Sequence, residues 1–520
     1  MRNIKKIFAL FLCAAVILSA FSGCSGDDAQ QNSGKKLVAG ATTRFFGAES
    51  LDVANNWDGW IMSIYGISEN LFRLDENFSP VAWIAESYSR LDSKTWQFKI
   101  RENVKFSNGG DVTAQAVKDC LDRTYLENSR AQSTLAVESI EADGQTLTIT
   151  TPQENPTLLN SLCDPLFGIY DAQSEPDSVT GVSCTGPYMA VDFTAMTDVK
   201  MVKNQYYWGA EPKLDEVDLK VMDDANALQM ALQNGEIDMI AQLDARSADL
   251  FSDNDEYTVS AVTSSRSDFL MYNLNSSGTQ DQAVREAIGY CIDRESFADT
   301  VYNGYAKACY GVYPDIFDFG STQGISLSVS EYDISRAKQI LKDAGYADTN
   351  SNGTLDKDGK ELSLHVVTYS YNSASTQLCD MLQATLSEVG IALEITTYDV
   401  LDDCLKSGDF DIAVLSYAMA PTGTADYFIN MMFTTGATNN YGGYSNNLVD
   451  DCALSLSNEF DAQKRTELVK QICQEILNDR PFDFVANQQF ICVYSSKVTG
   501  VQVNPSEYYL ITADVDITEE

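Results

Sequence analysis

The chain has one histidine, His365, in 520 residues, and 35 basic side chains against 75 acidic ones. A single histidine leaves little for acid–base work near neutral pH. The formal net charge of −40 argues against binding a phosphate backbone, which takes surfaces rich in Lys and Arg. It reads instead as a well-solvated surface. None of the 12 cysteines stands in a C-x-x-C pair, so no cysteine metal site and no cofactor are expected. The sequence has no Gly-rich loop ending in Lys-Ser/Thr, no Gly-x-Ser-x-Gly elbow and no His-Glu-x-x-His. A secreted hydrolase using paired carboxylates remains formally open, but spacing singles out no pair. Beyond residue 20 no apolar run reaches the roughly 20 residues of a membrane-spanning helix.

What is present begins at the amino terminus. Arg2, Lys5 and Lys6 precede an apolar run from Ile7 to Ala20, the pattern of a secretory signal over residues 1–23. Phe21-Ser22-Gly23-Cys24 resembles a bacterial lipobox, with Phe21 where Leu is usual, and so makes Cys24 the expected lipidation site. A diacylated Cys24 would meet the two-chain requirement for stable anchoring. Residues 24–36 are polar and without periodicity, as a tether would be. The body is expected outside the cell, held at the membrane's outer face. Of the ten later cysteines, Cys120, Cys291, Cys379 and Cys404 sit on apolar helical faces. Spacing assigns no disulfides.

Periodicity divides the body into alternating elements. Leu37–Ala41 reads as a first strand, and residues 61–72 as a helix with one apolar face. Lys94–Phe106 alternates Trp96, Phe98 and Ile100, and Thr113 caps a helix bearing Val117 and Leu121. Asp143-Gly144 turns a hairpin within 138–151. Asp215–Met222 alternates Val217, Leu219 and Val221, Asp224 caps a helix stopped by Gly235, and Ile237–Ile240 returns to the sheet. Helices follow at 281–292 and from Asp333 to Gly345. Residues 348–358 resemble a calcium loop but put Gly359 where an EF-hand needs a bidentate Glu, so a plain loop is expected. From Leu362 a β-α-β-α-β run predicts a parallel sheet, with ligands at the strands' carboxyl ends. Its last loop, Tyr417 to Gly423 followed by Asp426-Tyr427-Phe428, is the leading candidate for ligand contact. His365 falls in an apolar strand and reads as core.

Thr185-Gly186-Pro187-Tyr188, "KNQYYWGAEPKLDEVDLKVM" from Lys203 and "ALQNGEIDMI" from Ala231 resemble the core signature of bacterial family 5 solute-binding proteins. These are the extracytoplasmic peptide- and nickel-binding receptors of ABC importers. Glu69-Asn70-Leu71, "PVAWIAESY" at Pro80 and the stretch from Val284 through Asp293-Arg294-Glu295 fit the same family. The resemblance implies an α/β, two-lobed periplasmic-binding-protein type II-like fold with an additional inserted domain and a ligand cleft between the lobes. Residues 37–78, 184–268 and 492–520 would form lobe I, 79–183 an inserted domain II, and 269–491 lobe III. Trp57 and Trp60 match a loop that lines the cleft in that family. Arg130 lies near the point where nickel-type relatives set an arginine against a bound carboxylate. The ligand-contact candidates are therefore Trp57, Trp60, Arg130, Tyr417, Met419 and Thr422. Peptide-binding relatives often carry an aspartate where this chain has Met419, whereas Tyr417 to Pro421 stands closer to the Trp-Gly-Ala-Pro of nickel-type relatives.

The expected function is capture of short peptides or similar small solutes for an ABC permease, by a monomer with no catalysis and no nucleic-acid partner. The alternative is a nickel-chelate binder. A purely structural lipoprotein would need no cleft loop.

Overall fold

The computed structural model describes residues 34–327 and 329–518, and residues 35–520 form one compact unit. The signal segment and Cys24 lie outside the described residues. Among those described, no helix is long and apolar enough to cross a membrane.

The strands that carry the fold are β1 (Lys36–Ala41), β2 (Ala85–Arg90), β3 (Thr95–Ile100), β4 (Ser139–Asp143), β5 (Thr146–Thr150), β6 (Tyr188–Thr194) and β7 (Asp198–Lys203). They continue as β8 (Glu216–Val221), β9 (Met239–Ala241), β10 (Tyr257–Tyr272), β11 (Ser363–Tyr369), β12 (Ala392–Tyr398), β13 (Ile412–Ala418) and β14 (Phe482–Ser495). The helices used below are α1 (Thr43–Phe46), α2 (Asp58–Ile64), α3 (Ala114–Glu127), α4 (Ala225–Gln233), α5 (Ser373–Glu388) and α6 (Asp402–Ser407).

One large sheet runs in the order β12-β11-β13-β10-β14-β9-β1-β8-β7-β6. In its first part β11 pairs in parallel with both β12 and β13. In its second part β1 pairs in parallel with both β8 and β9. Both parallel groups arise from strand–helix–strand crossovers, which local capping specifies. Asp224 accepts the Ala227 amide at 2.8 Å to start α4, whose face of Leu228, Ala231 and Leu232 is buried. Gly235 ends the turn at φ +70°, where a side chain would be strained. Leu378, Leu382 and Leu386 of α5 pack in one core with Val366 of β11 and Val414 of β13.

The two parts meet through a ribbon. β10 and β14 lie antiparallel along nearly their whole length. The later half of β10 pairs with β13 on one side, and the later end of β14 pairs with β9 on the other. The ladder is broken between Thr263 and Ser267, a bulge midway along the ribbon. The lobe borders expected at 268/269 and 491/492 fall inside these two strands.

A separate antiparallel sheet, β2-β3-β5-β4, buries Trp96, Phe98 and Ile100. It is covered by α3, whose Thr113 hydroxyl accepts the Ala116 amide at 3.2 Å.

The Gly186 turn and the aromatic run after it form a knot rather than a site. The Gly186 N–H donates to the Ile67 carbonyl at 2.9 Å and Tyr188 N–H to Gly66 at 3.2 Å. The Asn204 side chain donates to the Gly186 carbonyl at 2.9 Å. Beside them the buried Glu69 carboxylate accepts from Trp83 Nε1 at 2.8 Å, Tyr207 Oη at 3.1 Å and Trp208 Nε1 at 2.8 Å. Arg285 likewise spends its guanidinium on backbone carbonyls, among them those of Arg480 and Thr279. Asp293 caps the helix Arg294–Val301 by accepting the Ser296 amide at 3.0 Å.

Two expectations change. The helix read over 61–72 stops at Ile64, because Gly66 takes φ +72° and the Ile67 and Ser68 amides both turn back to the Met62 carbonyl. Phe72 starts a short strand instead. His365 is half-buried rather than core, with Nε2 at 3.0 Å from Thr396 Oγ1, on an open surface groove of about 710 Å³. The ten described cysteines are all free, nine of them buried, where they act as small hydrophobes. Residues 348–358 form a loop leading into a two-residue hairpin strand, and no group of three or more metal-ligating side chains occurs among the described residues.

Candidate functional site

The carboxyl ends of the parallel strands converge on one cavity of about 620 Å³. From β1 the chain enters α1, which sets Arg44 on the wall. β11 and the turn after it contribute Tyr369 and Tyr371, the start of α6 contributes Asp402, and β13 contributes Ser416, Tyr417 and Ala418. Opposite strand ends in one crevice are where open α/β sheets bind ligands. The start of α2 supplies Trp57, Trp60 and Ile61, and residues 506–508 close another side.

Of the residues read from the sequence, Trp57, Trp60, Arg130 and Tyr417 line this cavity. The Arg130 guanidinium lies over the Trp57 ring at 3.4 Å and its Nη2 is 3.7 Å from Asp164 Oδ2. Trp57 is 55% exposed, so this stack sits at the rim. Trp60 meets Phe45 edge-on with centroids 5.8 Å apart. Tyr417 meets Phe269 edge-on at 5.6 Å and is hydrogen-bonded to Tyr369; burial raises both phenols, that of Tyr369 to about 12.

Met419 and Thr422 do not line the cavity. After Ala418 the chain turns inward. Met419 is fully buried and its amide donates to the Ser265 carbonyl at 2.8 Å. Thr422 is also buried, and its carbonyl accepts from Asn160 Nδ2 at 2.8 Å.

Several lining residues were not singled out in the sequence. Arg266 stands at the bulge of β10, and Glu507 grips it with both oxygens, at 3.2 Å to Nε and 2.9 Å to Nη2. Burial would lower the Arg266 pKa, but the Glu507 carboxylate outweighs it and the net shift is upward. Asp58 accepts from Glu49 N–H, Ser50 N–H and Oγ, and Asn55 Nδ2, all within 3.0 Å. Periodicity gives no signal for such residues, and the stretch containing Arg266 was not read as an element.

Two residues along β10 from Arg266, Asp268 is fully buried and accepts from Gln488 Nε2 at 2.6 Å and Tyr302 Oη at 2.7 Å. Burial pushes its carboxyl up to about 6, against the pull of these hydrogen bonds and of Arg266. Between pH 4 and 6 the unfolded chain therefore releases a proton that the folded site keeps, so this group's contribution to stability falls as pH rises through that window. The loss is on the order of 2–3 kcal/mol. Asp268→Asn should flatten the urea-derived stability profile between pH 4 and 6 relative to the parent; parallel profiles would show that Asp268 titrates normally.

Comparison with known proteins agrees with this architecture. The nickel-binding protein NikA of Staphylococcus aureus is 27% identical over 86% of this chain and 88% of its own length. The oligopeptide-binding protein AppA of Bacillus subtilis is 25% identical over 92% of this chain and 93% of its own. The crystal structure of S. aureus NikA in complex with Ni(L-His)2 superposes with a TM-score of 0.80 and 26% identity, covering 93% of this chain and all of that one. The fold is thus the two-lobed α/β architecture of these binding proteins. Residues 79–440 match the family described as bacterial extracellular solute-binding proteins, family 5 Middle, and the chain belongs to that family.

Proposed function

We propose that this protein captures short peptides, or similarly small solutes, outside the cell and delivers them to the permease of an ABC importer. The observation that carries the reading is the cavity itself. It gathers strand ends from both parts of the sheet, and aromatic rings from Trp57, Trp60, Tyr369, Tyr371, Tyr417 and Tyr427 surround it. Aromatic walls with a few polar groups suit a ligand of modest size, and pockets of roughly 300–1,000 Å³ hold small molecules rather than long chains. Nothing in this arrangement calls for turnover, so the protein acts by binding alone. Residues 37–78, 184–268 and 492–520 would move as one lobe with 79–183 attached, against 269–491 as the other, bending at the β10–β14 ribbon. Cys24 would carry the lipid that keeps the monomer at the membrane.

A nickel chelate is the second reading, supported by the nickel-binding relatives. No histidine or cysteine lines the cavity, so a metal would have to arrive wrapped in a chelator.

A thermal-shift series on the full-length protein, with di- to pentapeptides and with nickel in the presence and absence of histidine, separates the two. A true ligand at 100 times its Kd stabilises by about 2.7 kcal/mol. It should also reduce the radius of gyration in solution scattering as the lobes close. Peptides that raise Tm support the main reading. A shift with nickel plus histidine alone transfers it to the second. A ligand that shifts Tm without compaction would argue against lobe closure.

A further inference from the structure

One wall of the cavity is built on strained backbone. At the tip of the β6–β7 hairpin, residues 194–197 form a turn closed by the Thr197 N–H, which donates to the Thr194 carbonyl at 3.0 Å. The third residue of the turn is Met196, at φ +58°. A turn with that residue in the left-handed region ordinarily takes Gly or Asn there, because a longer side chain crowds its own backbone. Core packing does not offset the strain: Met196 is 43% exposed, and it lines the cavity.

The hairpin tip is pinned to the site. The Met196 N–H donates to the Ala48 carbonyl at 2.9 Å, and the neighbours of Ala48, Gly47 and Glu49, line the cavity. Glu49 in turn accepts from Asn56 Nδ2 at 2.9 Å, directly before Trp57. Met196 and Trp57 therefore belong to one stretch of wall. Trp57 has Arg130 over its ring yet stays more than half exposed. From the turn after β11 the exposed ring of Tyr371 lines the same cavity. Apolar side chains exposed singly are ordinary, but here several of the largest gather at one cavity.

Left-handed backbone at a bulky residue persists where the surroundings or the function hold it. We propose that Met196 is a specificity-determining residue: with Trp57 and Tyr371 it forms a subsite for an apolar side chain of the solute. This rests on the reading that the cavity holds a short peptide or a similar solute. An unbranched thioether adapts to aliphatic and aromatic shapes alike. The subsite therefore selects apolar over polar side chains without choosing among the apolar ones.

The test uses full-length protein and two probe mixtures: the three tripeptides made of two alanines and one leucine, and the same three with serine for leucine. Binding is read by tryptophan fluorescence, since Trp57 and Trp60 line the cavity. The leucine mixture should bind about 5- to 20-fold more tightly, the effect of covering part of one apolar side chain. Met196→Ala keeps the strained turn without the thioether, and Met196→Gly removes both. Either should cut the preference by about 3-fold or more. The ligand-free Tm should stay at the parent's value in the alanine variant and be equal or higher in the glycine variant. Contact is read directly by dilute peroxide, which oxidises accessible thioethers to sulfoxides. Saturating leucine mixture should slow oxidation of Met196 several-fold and leave that of Met230, which is 61% exposed on α4 and outside the cavity lining, unchanged. Equal binding of the two mixtures by the parent overturns the inference and leaves the proposed function standing. So does an undiminished preference in Met196→Ala, or unslowed oxidation of Met196 under a mixture that binds. A Tm lowered by several degrees in both variants would make Met196 a structural residue and overturn it as well. If neither mixture binds the parent, the peptide reading falls and this inference with it.

Discussion

Replacing Glu69 by leucine is expected to destabilise the protein by about 4 kcal/mol or more. The carboxylate is 6% exposed and holds three aromatic donors, two of them indole N–H groups that have nowhere else to turn. The rings are themselves locked together: Trp83 and Trp208 meet edge-on at 5.3 Å, and Arg73 lies over Trp83 at 4.3 Å and over Tyr509 at 4.0 Å. Leucine matches the volume but leaves three buried donors unpaired, at roughly 1–3 kcal/mol each. Burial also raises the Glu69 pKa, so part of the carboxylate's own desolvation cost is recovered on removal, which keeps the sum below the simple total. Glu69→Gln retains one acceptor and should lose only about half as much. Urea unfolding of the three proteins would measure this. A leucine variant within 1 kcal/mol of the parent would mean that water reaches the knot.

Gly186→Ala should be more damaging still, to the point of little folded protein. A Cβ built there lies 2.2 Å from the Gly66 carbonyl oxygen and 2.5 Å from that of Ile67. Both are backbone atoms. They cannot rotate away without breaking the Gly186-to-Ile67 and Tyr188-to-Gly66 hydrogen bonds that seat the turn. Overpacking of this kind costs at least about 3 kcal/mol when the neighbour is rigid. Gly144→Ala is the control. It sits at φ +58° in the β4–β5 hairpin with nothing within 4 Å of the added atom, so only the left-handed penalty of about 1–2 kcal/mol applies. Circular-dichroism melts should separate the two substitutions by well over 10 °C. Coincident melts would show that the chain at Gly66 shifts freely.

Both residues were visible in the sequence as motif positions, yet what they do was not. Glu69 meets Tyr207 across 138 residues, and no local pattern reports a contact of that span. The parallel run from Leu362 was legible because each element announces itself locally: alternating strands, and helices closed by Gly390 and Gly408 at positive φ. The same local logic overran at residues 65–72, where a turn at Gly66 interrupts an apolar periodicity that continues on paper. At the site, Trp57, Trp60 and Arg130 were reachable through family likeness, and Tyr417 through its place at the carboxyl end of a parallel strand. Met419 and Thr422 follow Tyr417 closely in sequence, but the strand ends at Ala418 and the chain dives under the cavity. Arg44 was missed because α1 is a single turn, too short to show a period. Arg266 and Glu507 were missed because their pairing spans 241 residues.

The ribbon also dictates when the protein can be finished. β14 lies between β10 and β9 near the middle of the large sheet, yet it is drawn from the last tenth of the chain. Until it arrives, β9 and β10 face each other as two unfilled edges, and the ladder that joins the lobes pairs residues some 220 positions apart. Such non-local pairing is slow, and its loop-closure entropy comes before any reward. A ribosome-bound chain can therefore build its crossovers piecemeal but cannot close the sheet. The joint between the two parts of the sheet is thus the last thing the chain can build.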